Sequence, residues 1–114
     1  GVTIAATYTV TVASYLGYNK YYIDGVRQDT VSLSEGSTYR FDQSDSSNSG
    51  HPLRFSTTSG GTHSGGSEYT TGVTSSGTPG SSGAYTQITV ASGAPTLYYY
   101  CTNHSGMGGQ ANTP

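Results

Sequence analysis

The chain has 114 residues with one Cys and one Met; 9% of the residues are charged and the formal net charge is −2. That length suits a single domain, 1–114, able to bury a core without disulfide staples, and one cysteine cannot form an internal disulfide. A charge-poor, faintly acidic chain offers no basic footprint for nucleic acid or an anionic membrane surface, and no apolar run is long enough for a transmembrane helix, so neither nucleic acid nor membrane insertion is expected.

Ser, Thr and Gly number 18, 18 and 17, a composition that by itself would suit disorder, but eleven Tyr and recurring Val/Ile runs supply the strand formers that disordered chains lack. Such a polar-surfaced β chain is expected in extracellular, cell-surface or virion-associated proteins. Residues 1–7, apolar at Val2 and Ile4, read as an arm that could add to a sheet edge of a second copy. Gly1 in place of Met points to a processed segment, although no basic stretch followed by an apolar core marks a signal peptide.

Tyr8, Val10 and Val12 alternate with Thr7, Thr9 and Thr11, the period of a half-buried strand. Lys20–Ile23 is a short aromatic strand closed by the tight-turn pair Asp24-Gly25. Thr30, Val31 and Leu33 open the next strand, and Glu35-Gly36 turns the chain into Thr38–Phe41. Leu53–Ser56 is a further strand. Residues 57–83 form a long Ser/Gly-rich loop region with one short strand at Tyr69–Val73. Strands return at Ala84–Val90 and Thr96–Tyr100, with Pro95 at the entrance of the last, where a missing N–H is tolerated. The Gly-Gly-Gln-Ala-Asn-Thr-Pro ending, within 108–114, reads as linker-like. No helical periodicity competes, so about eight short strands predict an all-β sandwich or barrel.

The chemistry concentrates in Cys101-Thr102-Asn103-His104-Ser105-Gly106-Met107. A thiolate, an imidazole and a thioether follow one another as Cys-x2-His-x2-Met at the end of a strand, and trigonal His2Cys with a weak axial Met is a blue-copper donor set. The second imidazole has two candidates. His51 directly precedes the strand beginning at Pro52-Leu53, whereas His63 sits in the Ser/Gly-rich loop as a solvated residue with nothing to orient it. His51 is therefore the expected partner of Cys101, His104 and Met107.

This arrangement resembles the cupredoxin family of small blue copper proteins, and its short Cys–His–Met loop is most similar to that of amicyanins. Thr30–Phe41 also looks like the family's strand, turn and strand before the first His. The resemblance implies a Greek-key β-sandwich of about eight strands and one copper per chain cycling between Cu(I) and Cu(II). It implies equatorial ligands His51, Cys101 and His104, an axial Met107, and electron transfer with a redox partner protein. In many cupredoxins the residue after the first His gives its backbone N–H to the cysteine sulfur; Pro52 has none. The Tyr-, Ser- and Gly-rich style is also similar, more weakly, to β modules of phage and environmental surface proteins.

Simpler readings stand beside these. A lone Cys is most often a small buried hydrophobe; Tyr98, Tyr99 and Tyr100 are first of all strand residues with the middle one facing away from its neighbours. Asp42 and Asp45 form a polar loop without the ligand density that Ca2+ needs. Asn103-His104-Ser105 matches a glycosylation acceptor, but a glycan there would crowd the metal loop. No spacing supports a catalytic triad or paired carboxylates, so no enzyme and no catalytic residue is expected. The alternative function is structural: a β-sandwich subunit of an extracellular filament, virion or surface assembly, joined through its N-terminal strand, with copper absent or only stabilising.

Overall fold

The alternation in the first segment is realised as a long strand, β1 (Ile4–Tyr15), in which Ala6, Tyr8, Val10 and Val12 pack on the core while Ala5, Thr7 and Thr9 are exposed. Two-residue turns follow, with positive φ at both positions: Leu16 and Gly17 at 51° and 86°, then Asp24 and Gly25 at 50° and 84°. Such mirror-image turns match the twist of antiparallel strands, and they fold β1, β2 (Tyr18–Ile23) and β3 (Val26–Arg27) into a meander.

The remaining strands are β4 (Val31–Ser32), β5 (Thr38–Asp42), β6 (Leu53–Ser56), β7 (Glu68–Tyr69), β8 (Val73–Ser76), β9 (Tyr85–Thr89), β10 (Leu97–Cys101) and β11 (Gly109–Asn112). This architecture comes from a computed structural model that describes residues 2–114. One sheet has the order β3-β2-β1-β5-β9-β8 and the other β4-β11-β10-β6-β7. Each contains one parallel pair, β1 with β5 and β11 with β4. Between them lies a core in which Phe41 of the first sheet meets Phe55 of the second edge-on at 5.4 Å and Tyr99 at 6.3 Å. The expected all-β sandwich is borne out.

Three segments differ from the sequence reading. Residues 108–114 are not a linker, because Gly109–Asn112 form a strand held by β10 on one side and β4 on the other, with Ala111 fully buried. The composition misleads because Gly109 is a packing requirement: a Cβ there would stand 2.7 Å from the Tyr99 hydroxyl. The proposed arm is not free either. Ile4–Thr7 belong to β1 and pair with Thr38–Arg40, while Gly1 lies outside the described residues. Finally, 57–83 is more than loop. It contains a 3-10 turn at Gly61–Ser64 and two strands, and the expected Tyr69–Val73 strand splits at a turn that carries the chain from one sheet to the other.

Truncation after Gly108 should therefore abolish the cooperative thermal transition, because it uncovers the inner edges of both β4 and β10. A circular-dichroism melt of the truncated chain checks this; an unchanged transition would restore the linker reading.

Candidate metal centre

Strand register builds the site. β6 and β10 run antiparallel with Leu53 opposite Cys101, and the pairing continues one step beyond, where the Thr102 N–H donates to the Pro52 carbonyl at 3.1 Å. His51 consequently emerges beside the segment that follows Cys101. The Asn103 side-chain amide ties the two chain segments again, donating to the Gly50 carbonyl at 3.0 Å.

His51, Cys101 and His104 come together as the sequence predicted. Their potential ligand atoms all lie within 4.8 Å of one another. Cys101 Sγ is 3.6 Å from His51 Nδ1 and 3.6 Å from His104 Nδ1, and the two imidazole centroids are 4.7 Å apart. Thiolate and imidazole bonds to one first-row ion, about 2.3 Å and about 2.0 Å long, span roughly 3.6 Å when opened by roughly 110–115°. The donor set and its spacing thus fit a single metal ion. Cys101 is fully buried and His51 is 8% exposed, whereas His104 lies at the surface.

The backbone of His51 is gripped on both sides. Its N–H donates to the Asn48 carbonyl at 2.8 Å, and its carbonyl accepts from the Tyr21 hydroxyl at 2.6 Å and from Gln43 Nε2 at 2.7 Å. Gln43 also donates to Asn48 Oδ1 and accepts from the Leu53 N–H, while Asn48 Nδ2 donates to the Val10 carbonyl. Gln43 and Asn48 are buried polar side chains, and their amides are satisfied by this network. Burial first, and the adjacent Cys101 second, push the Tyr21 phenol far above its ordinary pKa, so it remains a hydroxyl donor. Sequence reasoning missed Gln43, Asn48 and Tyr21. The only signal was placement: Asn48 stands three residues before His51, the spacing of a turn hydrogen bond.

The segment between β10 and β11 carries His104 and Met107. Gly106 adopts φ 75°, and a Cβ on Gly108 would collide with the Tyr99 carbonyl, so both positions demand glycine. Met107 is 1% exposed and packs in the same core cluster as Cys101. His104, Ser105 and Met107 form one wall of an open cleft of about 320 Å3, and Gly17, Tyr18 and Asn19 form the other.

His63 corrects the sequence reading. It is exposed and outside the ligand group, as expected, but it is not a free loop residue. Its Nε2 donates to the Cys101 carbonyl at 2.7 Å, and its ring meets Tyr100 edge-on with centroids 6.2 Å apart. The 3-10 turn makes this reach, because Gly61 lies flat on the Tyr100 ring where a Cβ would clash. Tyr99 faces the core between Tyr98 and Tyr100, as the alternation required. Asp42 and Asp45 are occupied with Ser44 and Ser47, in keeping with a polar loop.

No protein-family model matches this chain, and no curated protein matches it.

Two outcomes follow from the geometry. His63→Ala should lower stability by about 1 kcal/mol, the net value of one hydrogen bond, and accelerate hydrogen exchange near Cys101; unchanged exchange there would show the contact to be idle. In the metal-free protein, burial and then His104 hold the His51 imidazole below its usual 6.5. Unfolding frees His51 to take up a proton at 6.5, so its stabilising contribution is complete above 6.5 and is lost as pH falls through the lower folded-state value. Urea midpoints should fall on acidification below about pH 6.5, and His51→Phe should flatten that dependence.

Proposed function

We propose that this chain is a mononuclear copper-binding module that works in electron transfer. The observation that carries the reading is one buried cysteine sulfur equidistant, at 3.6 Å, from the Nδ1 atoms of two imidazoles. Cys101, His51 and His104 would be the equatorial ligands and the buried Met107 thioether the weak axial one. This soft, carboxylate-free set favours copper over calcium, magnesium or manganese, and the thioether favours it over zinc. Bound there, copper supplies one-electron exchange between Cu(I) and Cu(II).

The protein's own part is to hold and to shield. Cys101, fully buried at the end of β10, keeps its sulfur from water and oxidants. The lowered pKa of His51 keeps that imidazole neutral, and hence able to ligate, to lower pH than a solvated histidine. The Tyr21, Gln43 and Asn48 contacts fix where His51 stands, so the donors are placed before a metal arrives. His104 is the exposed member, and its ring edge is the natural exit for an electron toward a redox partner protein. Four protein donors leave no position for a substrate, which supports electron transfer over catalysis.

Titration with Cu(II), with metal content measured on the same sample, tests the reading. One copper per chain and an intense visible thiolate-to-copper absorption are expected, together with a higher Tm by mass action. Cys101→Ser should remove the colour while leaving the metal-free fold intact. A colourless protein, or one that takes zinc in preference to copper, would overturn the assignment.

A further inference from the structure

Three consecutive carbonyls surround Met107, and all three are held by the same part of the opposite sheet. Lys20 Nζ donates to the Gly106 carbonyl at 2.8 Å. The Tyr21 N–H donates to the Met107 carbonyl at 2.9 Å. Gln28 Nε2 donates to the Gly108 carbonyl at 2.8 Å and to that of Gly106 at 3.2 Å. Lys20 and Tyr21 lie in β2, and Gln28 follows β3 directly.

Gln28 itself is under constraint. Its φ is 48°, a left-handed conformation that a side chain other than glycine or asparagine rarely adopts. Unlike Leu16 and Asp24, the other residues of this kind, it is not the first member of a two-residue hairpin turn. The surroundings enforce the conformation, since the Gln28 N–H donates to the Tyr21 carbonyl at 2.8 Å. Here the side chain of a residue in that sparsely populated conformation reaches the two carbonyls that flank Met107.

We infer that Gln28, assisted by Lys20, is a positioning residue that sets where the Met107 thioether stands and thereby tunes the axial contact to copper. The inference rests on the copper reading above for its consequence and on the metal-free chain for its geometry. Partners of this kind, which orient a ligand without touching the metal, typically matter by 10–100-fold in affinity.

Gln28→Gly is the informative variant, because it removes the side-chain amide, relieves the left-handed strain and leaves the net charge unchanged. Met107 is the single methionine of the chain, so a 13C-labelled methionine methyl group gives one unambiguous NMR signal. In metal-free protein, Gln28→Gly should shift or broaden that signal, and Lys20→Leu should do so to a smaller degree while Lys20→Arg restores it. Superimposable methyl spectra would overturn the inference. Cu(I) affinity, measured by competition with a chromophoric chelator, should fall roughly tenfold in Gln28→Gly. It should fall no further when Gln28→Gly is added to Met107→Leu, because the ligand to be positioned is already gone. An equal loss in both backgrounds would show that Gln28 supports the loop at large rather than Met107. If the unaltered protein takes up no copper, the copper reading fails, and the methyl spectra still decide whether Gln28 places Met107.

Discussion

The pairing of Leu53–Ser56 with Tyr98–Cys101 is the constraint on which the site depends. Side chains alternate along a strand, so a slip of one residue would turn Cys101 out of the core and bring Tyr100 into it. The same slip would carry His51 away from the cysteine, since its place is counted from Leu53. The core prevents this. Leu53, Phe55, Leu97, Tyr99 and Cys101 all point inward and are fully buried, and a one-residue slip of either strand would turn its share of that set outward. The position of two candidate metal ligands is therefore a consequence of hydrophobic packing, decided before any metal chemistry.

The candidate ligands on one sheet are held by side chains of the other. His51, Cys101, His104 and Met107 belong to β10 or to segments that adjoin β6 and β10, whereas Tyr21, Lys20, Gln28 and Gln43 reach across from β2, the end of β3 and the end of β5. Each such hydrogen bond contributes only about 1 kcal/mol net, but a buried polar group left without a partner costs about 1–3 kcal/mol. Gln43 and Asn48 are therefore committed to a single arrangement of the His51 segment, because every alternative strands an amide in the core. That commitment fixes a loop which its Ser- and Gly-rich sequence would otherwise leave mobile.

What the sequence reveals follows from how local its cause is. The β1 alternation, the Asp24-Gly25 turn, β6, β9 and β10 were legible because each is written in adjacent residues, and Cys-x2-His-x2-Met was legible for the same reason. His51 was found by its place just ahead of a strand. β11 was not legible: Gly-Gly-Gln-Ala-Asn has little strand propensity, and it is a strand because β4 and β10 both need a neighbour there. His63 was misread because a Ser/Gly-rich context says nothing about the 3-10 turn that presses Gly61 onto Tyr100 and delivers the imidazole to Cys101. The roles of Gln28, Gln43 and Asn48 each draw on at least one partner between 10 and 80 residues away, and those distant contacts no local pattern encodes.

The ligand spacing can itself be understood as a hairpin. β10 and β11 are antiparallel, with Tyr99 opposite Gly109, so Thr102–Gly108 with Cys101 at its root is the connection between two paired strands. Its length is bounded by the strands and its path by two glycines: Gly106 supplies a left-handed turn, and Gly108 lets the chain return flat against the Tyr99 carbonyl. That return buries Met107 while the crest of the loop leaves His104 in solvent. Exposure of one imidazole and burial of the thioether thus arise from one turn geometry. A longer connection would preserve every strand of the sandwich yet move both side chains. The fold consequently holds the cysteine and the first histidine fixed, while the hairpin loop places His104 and Met107.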